Sequence, residues 1–80
     1  MAGPKLEELE LAALRVNLPQ HGLVAGDVGT VVLVHADHQG YEVEFVSADG
    51  RTIAVETLEA DQVTRIEGKR ILHARKLAMD

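Results

Sequence analysis

The sequence predicts a mainly all-β domain of about five short strands with a short C-terminal helix or tail, and three observations carry this. From Gly29 to Ile66 the chain repeats β-branched runs, TVVLVHA, GYEVEFV, RTIAVETL and QVTRI, which fit a pleated, half-buried surface. Between them stand Ala36-Asp37-His38-Gln39-Gly40 and Ser47-Ala48-Asp49-Gly50. Both end in glycine, and a loop of four or five residues with glycine in the left-handed position suits a hairpin. Within GYEVEFV the alternation is clean, Tyr41, Val43 and Phe45 on one face and Glu42 and Glu44 on the other, so one face is core and one is water.

The first twenty residues carry two patterns. Leu6, Leu9 and Ala13 with intervening glutamates suit a helix by propensity, with Pro4 well placed in a first turn. Leu9, Leu11 and Ala13 also alternate with Glu8, Glu10 and Ala12, as a strand requires. Leu18-Pro19 stops either element, because the residue before proline is pushed out of the helical region. LVAGDVG then places Gly26 and Gly29 around Asp27, where positive φ allows a bulged, tight approach to the sheet. A phosphate cradle would need a following Lys-Ser/Thr and a helix start, and neither follows. Val31 to Val34 is apolar on both faces. That predicts a strand covered on both sides, or one that curls from one sheet into the next and closes a small barrel.

Eighty residues provide one domain and one core, and a domain this small buries only about 60–65% of its unfolded surface. The chain has no cysteine, which removes disulfides, thiolate nucleophiles and Cys-ligated metals together. The start MAGPKLEELE has neither a basic lead nor a long apolar stretch, and no apolar run approaches the roughly 18–20 residues that span a bilayer. A cytoplasmic protein without membrane contact is the expectation. Charge is uneven: residues 1–66 hold 11 acidic and 4 basic side chains, net −7, whereas residues 67–80 hold 4 basic and 2 acidic, net +2. An acidic body repels phosphate backbones, so nucleic acid is a disfavoured partner.

The stretch LPQHGLVAGDVGTVVLV, followed by GYEVEFVSADGRTIAVETLEADQVTRI, resembles a family of small bacterial proteins catalogued only as a domain of unknown function. The family shows an LP-x-HGL-x-x-G-x-VGTVV opening, a YEVEF strand and a DGRT turn. The likeness covers about Leu9 to Ile66. It implies an SH3-like partial barrel with no established activity, and a first strand over Glu10 to Arg15 preceded by at most a helical turn near Pro4 to Glu8. It also implies a genetic setting similar to toxin–antitoxin or immunity pairs. On this reading residues 1–66 are the barrel and residues 67–80 a basic amphipathic tail or helix, with Ile71, Leu72, Ala74 and Ala78 on its apolar side.

Candidate chemistry is sparse. His35 and His38 flank Asp37, but a hairpin turn is a poor place for fixed ligand geometry and no further ligand is near in sequence. They read as solvated turn histidines, and no metal or cofactor is expected. His21 lies in the Pro19-Gln20-His21-Gly22 turn without a neighbouring nucleophile or orienting group and reads as a turn or capping side chain. Glu42 with Glu44, and Glu59 with Asp61, are paired carboxylates. On a solvated strand face Glu42 and Glu44 should keep ordinary pKa values. Tyr41 and Phe45 are the only aromatics and point inward, whereas ligand grooves and base-stacking platforms need exposed rings.

The expected function is therefore a non-enzymatic protein-interaction module, acting through an exposed edge strand or through tail residues Lys69, Arg70, His73, Arg75 and Lys76. The partner is another protein, of which a toxin neutralised within a two-gene system is one form. Two alternatives stand beside this. One is a nucleic-acid module similar to the SH3-like KOW domains, whose opening strand GDVGTVV resembles. The other is a self-associating homodimer completed through an edge or the tail.

Overall fold

In the computed structural model of this chain, the structure describes residues 5–66. Five strands form: β1 Leu11–Leu14, β2 Val28–Val34, β3 Gly40–Val46, β4 Thr52–Glu59 and β5 Val63–Arg65. Single 3-10 turns at Pro19–His21, Ala36–His38 and Ala60–Gln62 join them. All pairings are antiparallel and the sheet order is β4-β3-β2-β1-β5. Strands β1 to β4 form a meander, and β5 returns to the far side of β1. This is the connectivity of an SH3-like partial barrel, open between β4 and β5. Among the described residues there is no α-helix, and no helix is long and apolar enough to cross a membrane. The predicted tail, residues 67–80, lies outside the described residues.

One face of the curled sheet holds the core. Tyr41, Val43 and Phe45 are fully buried, as their alternation predicts, and Val31, Leu58 and Val63 meet them from neighbouring strands. Leu6, Leu18 and Leu23 close the barrel from the connecting segments. The Tyr41 hydroxyl accepts the Leu6 amide at 3.0 Å, tying the N-terminal segment over the core. Helix propensity before β1 is overridden: Leu6 is fully buried in this core from an irregular segment. Lys5–Glu7 has no regular structure, and the chain turns at Glu8–Leu9 with Leu9 at φ 75°. The strand itself is in the opposite phase to its sequence alternation. Ala12 and Leu14 pair with Gly29 and Val63 on the inner side, while Leu9 stands 79% exposed.

Two glycine readings are corrected and one open alternative is settled. Gly29 does not adopt positive φ. It is there for close approach, since a Cβ at that position would stand 2.6 Å from Val43 Cγ1 and 2.7 Å from the Glu44 carbonyl. In the β2–β3 connection the left-handed residues are Asp37 and His38, both at φ 57°, and not Gly40. Gly40 is the buried first residue of β3, with the Leu58 carbonyl 3.1 Å from where a Cβ would lie. The β3–β4 hairpin does follow its prediction, Gly50 taking φ 88° and the Ser47 amide bonding back to the Arg51 carbonyl. Finally, β2 is not covered on both sides. Val32 and Leu33 are exposed, and a register shift between Val31 and Leu33 bends the strand there, which is the curling alternative.

Candidate functional site

The outer face of β2, β3 and β4 gathers the most distinctive surface. Strand register places residues in rows, because directly opposed residues share a face. Leu33, Glu42 and Thr57 form one row, and Thr30, Glu44 and Val55 the next. Beyond a register shift, Val46 opposes Thr52. Three apolar side chains on this face, Leu33, Val46 and Val55, are each more than two-fifths exposed. Two carboxylates stand among them.

Both carboxylates are held in place. Thr57 donates its hydroxyl to Glu42 Oε2 at 2.6 Å, and His35 Nε2 contacts the same oxygen at 2.8 Å. Thr52 donates to Glu44 Oε2 at 2.7 Å from the next row. Hydroxyl donation from Thr57, then the hydrogen bond and charge of His35, hold the Glu42 pKa below the ordinary glutamate value. The expectation of an unperturbed, merely solvated carboxylate at Glu42 is thus overturned. The sequence placed Glu42 on a water-facing strand side but could not show that a threonine fifteen residues away lies directly across from it.

The histidines are likewise not free turn side chains. His35 meets Glu42, His38 meets Glu7 at 3.1 Å and His21 meets Glu56 at 2.6 Å. Glu42 and Glu56 lie on β3 and β4, so their pairs fasten connections to the barrel, whereas Glu7 lies in the irregular segment before β1, so its pair ties that segment to the β2–β3 connection. His38 also packs edge-on to the Tyr41 ring. His21 closes the 3-10 turn at Pro19–His21 and makes no N-cap bond. Its orienting group exists after all, 35 residues downstream. Glu59 with Asp61 is not an acid–base pair. Glu59 and Gln62 form a reciprocal capping box around the 3-10 turn at Ala60–Gln62.

Asp27, the acid between Gly26 and Gly29, is fully buried, and its Oδ2 accepts the Val24 amide at 2.9 Å. It builds the turn that delivers β2 rather than facing a phosphate. Among the described residues no group of three or more His, Asp or Glu side chains could hold a metal ion. Lys69, Arg70, His73, Arg75 and Lys76 lie outside the described residues.

Fold and face together define a small SH3-like β-barrel carrying an acidic and apolar outer sheet. The chain belongs to the family described as Domain of unknown function (DUF4926), whose model matches residues 8–65. The match ends one residue short of the last described one and begins after Leu6, so the family segment spans all five strands. That family carries no assigned activity. No curated protein and no solved structure matches the chain.

Proposed function

We propose that this domain is a non-enzymatic, cytoplasmic protein-interaction module whose outer β2–β3–β4 face receives a basic, partly apolar segment of another protein. One observation supports this most directly. Glu42 and Glu44 are pinned by Thr57 and Thr52 within a face that also exposes Leu33, Val46 and Val55. Pinned carboxylates lose little side-chain freedom on meeting a cation, and exposed apolar neighbours supply contact area around them. The acidic body, net −7 over residues 1–66, steers basic partners toward it and repels phosphate backbones. Burial of both aromatic residues, Tyr41 and Phe45, weighs against base stacking and so against a KOW-like role.

In keeping with the two-gene setting that the resemblance implies, we propose that the partner is encoded nearby, with this chain as the neutralising member. The basic residues Lys69, Arg70, His73, Arg75 and Lys76 are a second contact element in that reading. The test is affinity capture from native lysate with three baits: the full chain, its Glu42→Lys/Glu44→Lys variant, and a chain ending at Ile66. A stoichiometric partner held by the full chain and lost from the charge-reversed variant is expected. A partner retained by that variant refutes the face, and one lost only on truncation moves the contact to the tail.

A further inference from the structure

The outer face holds negative charge that the barrel itself does not balance. Residues 1–66 carry only 4 basic side chains against 11 acidic. Two of those four, Arg51 and Arg65, already face Asp49 and Glu10. Among the described residues His35 reaches Glu42, but no cation meets Glu44. Leu33, Val46 and Val55 stand exposed beside the two carboxylates. The concentrated positive charge of the chain comes after Ile66, outside the described residues. Between Lys69 and Leu77 there are four cations and no acid, with Ile71, Leu72 and Leu77 set among them. That is the basic, partly apolar chemistry the outer face is proposed to receive.

We propose that in the free chain the segment Lys69–Leu77 folds back over the outer β2–β3–β4 face, its cations on Glu42 and Glu44 and its apolar residues over Leu33, Val46 and Val55. The inference rests on the proposed reading of that face and names its occupant before a partner arrives. Strand geometry delivers the segment there. Strands β5 and β2 are both antiparallel to β1, so they run the same way. Arg65 stands opposite Ala12, and Ala12 opposite Gly29, one residue before Thr30 in the row of Glu44. The chain therefore leaves β5 near the level of Glu44 and heads toward the row of Leu33 and Glu42. From β5 to β3 is three strand spacings, about 14 Å, whereas the ten residues from Ile66 to Lys76 can extend about 33–36 Å. A short tether supplies an effective concentration of about a millimolar, so a contact too weak to hold between separate molecules fills the face within one. The body of a second copy is a poor competitor, since it carries the same net −7 over residues 1–66 and is repelled. A partner segment of like chemistry has to displace the tail, and its apparent affinity is reduced to the fraction of chains whose face is open.

The absence of cysteine from the chain allows a single nitroxide to be attached to the full-length protein through Met79→Cys, just beyond the segment. Its broadening of backbone amide signals is read by nuclear magnetic resonance on the isotope-labelled chain, with and without the reversals Lys69→Glu, Arg70→Glu, Arg75→Glu and Lys76→Glu. The same reading is made on an equal mixture of isotope-labelled chain without nitroxide and unlabelled chain bearing it. The expected result is a roughly twofold or greater loss of the Leu33, Glu44 and Val55 signals, as for a tethered site filled at least half the time. The four reversals should remove that loss, and the mixture should not show it. All four lie outside the five strands, and the spectrum of the barrel reports its own folding. Losses confined to the neighbours of β5, or losses on the face that survive the reversals, overturn the proposal. Losses in the mixture give the face to the tail of a second copy and overturn it equally. No partner enters these readings, so a tail found off the face beside a captured partner defeats this inference alone. A docked tail with no partner captured defeats the proposed function alone.

Discussion

Gly29→Ala tests whether the barrel closes as described. Gly29 lies on β2 opposite Ala12 and beside β3, and an added Cβ would meet Val43 Cγ1 at 2.6 Å, the Glu44 carbonyl at 2.7 Å and Phe45 Cδ1 at 2.9 Å. Ordinary contact begins at 3.4 Å, so each neighbour must retreat by roughly 0.5–0.8 Å. The side chains of Val43 and Phe45 are fully buried with little room to turn. The carbonyl belongs to the β2–β3 ladder, next to the Thr30–Glu44 pair, and cannot withdraw without straining it. Overpacking a filled core costs about 1–3 kcal/mol, and the backbone contact puts this site at the upper end. Stiffening of the unfolded chain returns about 0.4–1 kcal/mol, leaving a net loss of about 2–2.6 kcal/mol. A domain of some sixty residues has about 3–9 kcal/mol in all. The melting temperature should therefore fall by about 8–21 °C, read by far-ultraviolet circular dichroism and checked by urea unfolding. A variant melting within about 3 °C of the parent would refute the close packing of β2 on β3.

Further expectations follow from the core and the face. Tyr41→Phe removes the acceptor of the Leu6 amide in a buried setting and should cost about 1–3 kcal/mol in urea unfolding; an unchanged midpoint would show that Leu6 is not held there. Leu6→Ala, at a fully buried position upstream of the family match, should cost about 2–5 kcal/mol, whereas a neutral result would place the core within residues 8–65 alone. Glu42 has a depressed pKa in the folded state, so its contribution to stability is present above the ordinary value of about 4.3 and is lost as pH falls through the lower folded value. Thr57→Val should raise that folded value, since Thr57 is its largest cause. Carboxyl-detected titration by nuclear magnetic resonance reads it, and an unmoved midpoint would contradict the hydrogen bond.

Local signals were sufficient where one chemical pattern had one structural meaning. The alternation in GYEVEFV placed Tyr41, Val43 and Phe45 in the core because period two on a half-solvated strand leaves no other arrangement. The Ser47–Gly50 loop became a hairpin because Gly50 alone could supply the left-handed residue cheaply. Elsewhere local preference was outvoted. The glutamate- and leucine-rich start favours a helix, but an isolated turn or two is marginal in water, and Leu6 instead bonds the Tyr41 hydroxyl and is buried in the closed core. Gly40 looked like a turn residue, yet a strand neighbour 3.1 Å away from its absent Cβ decided its place. The candidate face was legible only as two glutamates on the wet side of one strand. Thr52 and Thr57 are held across from Glu44 and Glu42 by the β3–β4 register, and His35 reaches Glu42 only once β2 has curled at its bulge. The same holds for His21 and Glu56, 35 residues apart in the chain and 2.6 Å apart in space. Composition and periodicity thus determined the class of fold and the inward face of its central strand, because hydrophobic burial acts on pattern alone. Which polar groups meet was decided by long-range register, because a strand records its own alternation and not the identity of its neighbour.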